Sequence, residues 1–514
     1  MTRCDFLCFA SLGAATAVIG TRALREAQAS AGGAPKPMAS PNVLWLIAED
    51  VCPDMACYGG QLVKTPNIDR LATQGTRYDN AFITAPVCSP ARSAFFTGMY
   101  QTTIGAHQHR TRDKKPLPKG VVTIADRFRS GGYFVTNATF SKGKPKAGAE
   151  APDAATPEFV FTRNGKMDWN FKYKGKAFDG QDWSQRKPGQ PFFSAVNFHY
   201  THRTFARDPE NPIDPDKVKV PSCYPDTPLA RRDWADYLES VQLLDKQVGE
   251  VLKRVDDEGL TDSTIVFFVG DNGRPHVRGK QWLYEGGIHV PMIVRWPGHI
   301  QAGAVSDDMV SSIDWAATSL SLAGLGVPKI MQGVPCLGQA VVKREFIVAA
   351  RDRCDETFDR IRCLRTKRYK YIRNFYPNRP YTQTNIYKRQ HYPELIELAV
   401  LQAEGKLTDA QKPFMADRRP AEELYDLQTD PDEVKNLVAE TACKPILEEL
   451  RAKLDKWIRD TGDKGGTPES PIEAEVETRN MKRKWLSTMK KRNLPADISN
   501  VDYLKWWKQH MLGK

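Results

Sequence analysis

The sequence predicts an α/β protein: a large, mostly parallel central sheet flanked by helices, followed by a smaller C-terminal α+β subdomain. Three observations carry this. The stretch PNVLWLIAED is a continuous apolar run closing on two acids, the pattern of a strand buried on both faces. The helical patterns TPNIDRLATQG and TIADRFRSGG are interleaved with further strand-like runs, PFFSAVNF and STIVFFVGDNG, the order that builds a doubly wound sheet. Between those last two runs, Trp234, Tyr237, Leu238, Val241, Leu244, Val248, Val251, Leu252 and Val255 recur at three- and four-residue steps. They make one apolar face on a long helix.

In such sheets the ligand site lies beyond the carboxyl ends of the strands. Three of these strands run directly into polar residues: Glu49-Asp50, His199 to His202, and Asp271-Asn272. From about Phe346 the character changes to short β-like runs (CLRT, KYIRNF, ELYDL), a polar insertion rich in Tyr and Gln, and one helix near Pro445 to Thr461. The tail, MKRKWLSTMKKRNLPADISNVDYLKWWKQHMLGK, is basic and aromatic and is expected to pack on the body through its Trp residues rather than bind nucleic acid. The expected division is 1–29 leader, 30–40 linker, 41–345 main α/β domain, 346–461 smaller subdomain and 462–514 tail.

The 514 residues are 41% hydrophobic and 26% charged, which excludes a disordered or membrane-embedded chain. A net charge of +12 favours an anionic partner. The opening MTRCDFLCFASLGAATAVIG, followed by an A-x-A site at Ala27 to Ala29, has the form of a cleaved signal peptide, so an exported, periplasmic or extracellular protein without stable membrane insertion is expected. Thr2 to Leu7 resembles a twin-arginine signal with Cys4 in the second arginine's place. Eight of the ten cysteines (Cys52, Cys57, Cys88, Cys223, Cys336, Cys354, Cys363, Cys443) lie beyond that leader without C-x-x-C spacing. That excludes a zinc ribbon or disulfide scaffold and leaves room for one or two disulfides.

Glu49, Asp50, Asp271 and Asn272 are oxygen donors without clustered sulfur or imidazole, a set suited to a hard divalent cation, calcium first and magnesium second. In PVCSPARSAFFTG, Pro90 suits the first position of a helix and Gly98 its end. Cys88 would then sit at a helix N-terminus, where amides and dipole favour an anion, with Arg92 close by. Taken alone, Cys88 is equally a buried structural cysteine.

C-S-P-A-R followed by S-A-F-F-T-G resembles the signature of the type I sulfatases of the alkaline-phosphatase-like superfamily. PNVLWLIAED, TPNIDRLATQGTRYDNAF, FHYTHR, VGDNG, GKQWLYEGGIHVP and ELYDLQTDPDEVKNL follow in family order from Pro41 to about Thr461. The resemblance implies that a maturation enzyme oxidises Cys88 to formylglycine, whose hydrate attacks sulfur. It implies that Glu49, Asp50, Asp271, Asn272 and the modified Cys88 hold calcium, that Arg92 orients the hydrate, and that Lys280 binds sulfate and protonates the departing oxygen. His202 would be a further sulfate ligand or acid. His107 and His109 are expected at the pocket wall, and Asp352 and Arg353, with Asp355, at the sugar.

Three positions depart from the family pattern. Glu49-Asp50 stands where Asp-Asp is usual, and His289 replaces a common arginine. NGKMDWNF stands for G-K-W-H, leaving Lys166 as the sulfate-binding lysine and the histidine's place either taken by Asp168 or Asn170 or vacant. FHYTHR, GAHQH and ELYDL are similar to the heparan N-sulfatase branch and to exported bacterial polysaccharide sulfatases, which implies a sulfated glycan substrate. Two other readings are a phosphonate monoester hydrolase or phosphodiesterase with the same nucleophile, and a non-catalytic glycan-binding protein on the same scaffold.

Overall fold

The computed structural model describes residues 40–144, 157–467 and 469–513. The leader, its cleavage site and most of the linker lie outside the described residues. Eight strands form the main sheet: β1 (Asn42–Ala48), β2 (Thr76–Phe82), β3 (Phe134–Thr139), β4 (Arg163–Asn164), β5 (Phe192–Phe198), β6 (Thr264–Gly270), β7 (Met292–Arg295) and β8 (Ala304–Ser311). Their order is β4-β3-β5-β1-β6-β7-β2-β8. The central run β3-β5-β1-β6 is parallel throughout, β8 joins β2 in parallel, and β4 and β7 run against their neighbours. Every residue of β1, β5 and β6 is buried, as the unbroken apolar runs require of strands covered on both faces.

Helices α1 (Pro66–Gln74), α2 (Cys88–Thr97), α3 (Ile124–Ser130), α4 (Pro228–Asp257) and α5 (Glu285–Ile288) are carried by the connections between these strands, and α6 (Asp314–Leu322) follows the last of them. The long helix starts where Thr227 caps it, its side chain accepting from the Ala230 amide, with Pro228 in the first turn. Its apolar stripe packs with Leu44 and Leu46 on one side of the sheet. On the other side, Trp45 of β1 lies among Phe95 and Phe96 of α2, Phe193, Phe267 and Trp315, with ring centroids 5.2–6.5 Å away. Its indole donates to Ser319 Oγ at 3.0 Å.

All ten residues of α2 are buried. The helix begins at Cys88, so Pro90 is its third residue rather than its first. It ends at Gly98, whose φ is +65° and whose added Cβ would meet Met331 at 2.7 Å.

A second, antiparallel sheet has the order β12-β11-β10-β9, from β9 (Phe346–Arg351), β10 (Ile361–Thr366), β11 (Tyr369–Asn374) and β12 (Glu422–Asp426). Between β11 and β12 the Tyr- and Gln-rich insertion forms α7 (Ile386–His391), α8 (Pro393–Ala403) and the short α9 (Lys412–Met415). Leu447, Leu450, Leu454 and Trp457 of α10 (Lys444–Thr461) cover the second sheet. The tail folds as α11 (Pro471–Arg492) and α12 (Asn500–Leu512). Trp485 and Trp507 pack there with Leu229 of α4 and Ile396 and Val400 of α8.

The eight described cysteines are all free. No helix among the described residues is long and apolar enough to cross a membrane.

Trp45 ties the central strand to α2, so Trp45→Ala is expected to cost about 3–5 kcal/mol, the usual loss for a buried large aromatic. A markedly lower urea midpoint is the expected reading, and a midpoint matching the parent's would contradict this packing account.

Candidate active site

The ends of β1, β5 and β6 are laced together by backbone hydrogen bonds. Glu49 N donates to Phe198 O at 3.0 Å, Asp271 N to Ala48 O at 2.9 Å and Val51 N to Asn272 O at 2.9 Å. At Asp50 the backbone turns into the left-handed region, φ +51°, an uncommon conformation that Asp tolerates better than most residues. Asp50 N donates to Asp271 Oδ1 at 3.0 Å. Asp50, Cys88 and Asp271, all buried, bring one ligand atom each to within 4.8 Å of one another. Cys88 reaches this point because α2 starts there, its Sγ 3.9 Å from Asp50 Oδ1.

Each acid meets a base from another segment. Arg92, one turn along α2, donates through Nε to Asp271 Oδ2 at 3.0 Å and through Nη1 to Asn197 Oδ1 at 2.7 Å. Lys280 Nζ lies 2.8 and 2.7 Å from the two oxygens of Asp50. Lys166 Nζ lies 3.0 Å from Glu49 Oε2. Three carboxylates therefore face three fixed cations below the surface, the pairing that buried charges require. The loop carrying Lys280 is tightly wound: a Cβ at Gly279 would fall 2.2 Å from Arg274 O.

Exposure gives the site a direction. Asp50, Arg92 and Asp271 have fully buried side chains, whereas His199, His202 and Lys166 are 42%, 33% and 18% exposed. The first group forms the floor and the second the rim. His202 Nδ1 lies 2.7 Å from Arg203 O. A carbonyl can only accept, so Nδ1 carries the hydrogen and Nε2, 3.8 Å from Asp50 Oδ2, is left toward the pocket.

Burial pushes the Glu49 and Asp50 carboxyls up, but Lys166 with His199, and Lys280 with His202, outweigh it and hold both down. At Asp271 burial prevails over Arg92 and the carboxyl is raised. Burial pushes the Cys88 thiol up to about 11 despite Lys166 and Lys280. At neutral pH the unmodified residue is a thiol, a weak nucleophile. Burial and Lys280 hold His202 below its ordinary value, so its ring is neutral at pH 7.

A hard cation fits the donor set. Asn272 Nδ2 donates to Asp50 Oδ1 at 2.8 Å, while Asn272 Oδ1 is buried without a hydrogen-bond partner. That orphaned oxygen, with the Asp50 and Asp271 carboxylates and the Cys88 side chain, is a set of mainly oxygen donors. Glu49 is turned instead to Lys166 and to His199, whose Nδ1 is 2.6 Å from Glu49 Oε1.

The remaining expected residues are dispersed around this centre. His109 Nδ1 is 3.1 Å from Asp355 Oδ1, and Asp355 also accepts from Gln281, the neighbour of Lys280, at 2.8 Å. His107 lines a separate cavity of about 400 Å³ with Thr111, Asn170 and Lys464. Asp352 and Arg353, expected at the sugar, lie in buried ion pairs, and Asp352 Oδ2 has no hydrogen-bond partner. Asp352 is held by Arg362, which also binds Asp463; Arg353 is held by Glu469 and the Asp355 carbonyl. Asp168 takes a bidentate pair from Arg110, at 3.0 and 2.8 Å, and lies 4.0 Å from Lys166. Asn170 is tied to Thr111 and Ser93. His289 stacks on Phe82 and bonds Asp79 O.

Sequence reasoning assigned no role to two residues at the centre. His199, the first residue after β5, contacts Glu49; Asn197, inside β5, bridges Arg92 to Asn137 through Nδ2 at 2.8 Å. The polar strand end flagged His199, but an Asn within a buried strand carried the only signal for Asn197.

The sulfatase family model matches residues 41–325, and the model of the N-sulphoglucosamine sulphohydrolase C-terminal region matches 276–415. An ulvan-active sulfatase of Formosa agariphila is 34% identical over 485 residues, covering 84% of this chain and 77% of its own. Human N-sulphoglucosamine sulphohydrolase is 25% identical over 471 residues, covering 82% and 90%. A solved 2-O GAG sulfatase superposes with a TM-score of 0.58 at 19% identity, over 85% of this chain and 96% of that one, and shares the alkaline-phosphatase-like architecture described above. The chain belongs to the sulfatase family, enzymes that hydrolyse sulfuric esters.

Proposed function

We propose that this sulfatase removes sulfate from a sulfated carbohydrate, with formylglycine made from Cys88 by a maturation enzyme and with calcium at the strand ends. The observation that carries it is the start of α2 at Cys88, in a basin where Asp50 and Asp271 approach its sulfur and three cations surround them. The relatives named for ulvan and for N-sulphoglucosamine support the carbohydrate class.

Formylglycine, once formed, supplies a geminal diol: one hydroxyl to attack sulfur and a second that can lose its proton so that sulfate departs and the aldehyde returns, which a serine or thiol could not do. Calcium, held by Asp50, Asp271, Asn272 and the modified Cys88, with Glu49 behind them, supplies charge that polarises the sulfate oxygens.

The chain's own groups do the rest. Arg92 is fixed by Asp271 and Asn197, so its guanidinium orients the side chain at position 88 without reorganising. Lys166 and Lys280 draw in the sulfate and hold the negative charge that grows as the bond to sulfur breaks. Lys280, its pKa raised well above the ordinary lysine value even after the opposing cost of burial, keeps its proton at Nζ until the leaving oxygen arrives. His202, with Nε2 bare in the neutral ring and 3.8 Å from Asp50 Oδ2, is a further polar contact for the sulfate at the rim.

Matured protein is expected to hydrolyse sulfated saccharides and aryl sulfate in preference to phosphodiesters and phosphonate monoesters, and Cys88→Ala to lose about 10³-fold or more in kcat. Faster phosphonate or phosphodiester turnover would overturn the sulfate reading, and full activity in Cys88→Ala would overturn the nucleophile.

Calcium added to chelator-treated protein is expected to raise Tm, a saturated site at a hundred times Kd contributing about 2.7 kcal/mol. Asp271→Asn is expected to abolish that rise. No rise in the parent would contradict the calcium site.

A further inference from the structure

We infer that Tyr387, on α7 of the Tyr- and Gln-rich insertion, is a specificity-determining residue whose hydroxyl hydrogen-bonds the sugar that bears the scissile sulfate. The inference rests on the carbohydrate reading above. Tyr387 stands over the two groups assigned to sulfate and proton transfer. Lys280 Nζ is 5.4 Å from its ring centroid, and the His202 ring is 6.2 Å away at 51°. The ring is also braced by His391 at 5.0 Å and by Tyr392, edge-on at 5.9 Å.

The ring as a whole is half-buried, yet its hydroxyl oxygen is buried and has no hydrogen-bond partner. A tyrosine that only filled space would leave its hydroxyl in water or on a protein acceptor, because an unsatisfied buried hydroxyl is costly. Lys280 and His202 both lie against the ring that carries this oxygen, so a sugar bound over those two groups would supply the partner the hydroxyl lacks. Burial, only partly offset by Lys280, pushes the phenol up to about 12. It remains a donor at neutral pH and can also accept, the pair of roles that suits a sugar hydroxyl or a sugar-borne nitrogen.

A site that pairs with a substrate hydroxyl discriminates strongly against compounds lacking it. Tyr387→Phe keeps the ring, its packing and its contact with Lys280 while deleting the one group invoked, so a structural role would not be disturbed. The test compares parent and Tyr387→Phe, both matured and matched in Tm, on two probes. One is the best substrate from a panel of sulfated ulvan oligosaccharides and N- or 6-O-sulfated glucosamine. The other is 4-nitrophenyl sulfate, which carries the same sulfate on a flat ring without hydroxyls.

The expected result is a loss of about 10- to 100-fold in kcat/KM on the saccharide, against less than about threefold on the aryl sulfate. Equal losses on both probes, or none on the saccharide, would overturn the role of the hydroxyl while leaving the carbohydrate reading intact. Parent protein that cleaves the aryl sulfate and no saccharide would overturn the carbohydrate reading, and this inference with it.

Discussion

Three buried carboxylates at the ends of adjacent strands, each held by a cation from a different segment, are the constraint on which the rest of this molecule depends. Glu49 and Asp50 directly follow β1, and Asp271 directly follows β6; Lys166, Lys280 and Arg92 come from the connection after β4, the loop before α5 and helix α2. None of these groups could be buried alone, because an unpaired charge in a dry interior costs several kcal/mol. Charge pairing therefore fixes the approach of three segments that the sheet by itself would leave independent. It also leaves formal charge balanced before any ligand enters, so an arriving anion and cation join a preorganised site instead of building one.

The loops that deliver His202 and Lys280 share a second buried knot. Arg203, next to His202, donates to Pro275 O at 2.7 Å and pairs with Asp233 of α4 and Glu394 of α8. Its guanidinium lies between the rings of Phe205 and Tyr392, 4.5 and 4.7 Å away. Burial and the neighbouring Asp233 push Glu394 up to about 8, so a protonated Glu394 spares the knot an excess negative charge. Through this arrangement α8, which belongs to the insertion in the second sheet, supports the loops of the first that carry His202 and Lys280. The insertion also brings the Tyr387 ring of α7 against those two residues.

The central strands were legible because strands covered on both faces must be apolar end to end, and their carboxylates were legible because a ligand site in such a sheet lies at that end. Arg92 followed from its helix. At Asp352 and Arg353 a dense run of charges reads the same whether it meets a ligand or itself; the partners are Arg362, close by in the same run, and Glu469, far along the chain. Pro90 misplaced the start of α2 by two residues, since a proline is tolerated throughout a helix's first turn, where amides lack partners anyway. His199 and Asn197 needed the fold, because the pairing of β1 with β5 brings His199 to Glu49 and the packing of α2 on the sheet brings Arg92 to Asn197. Tyr387 was hidden for a different reason: a six-residue helix in a polar insertion has too little periodicity to show which side chain faces the site.

The central claim is that Cys88 is the precursor of the nucleophile rather than a buried structural thiol. The most direct measurement is the mass of the peptide containing Cys88, taken from protein co-expressed with a formylglycine-generating enzyme, with an aldehyde-reactive label as a second readout. An aldehyde at position 88, in a fraction that rises in step with sulfatase activity, is the predicted result. Fully active protein that retains an unmodified thiol there would contradict the account.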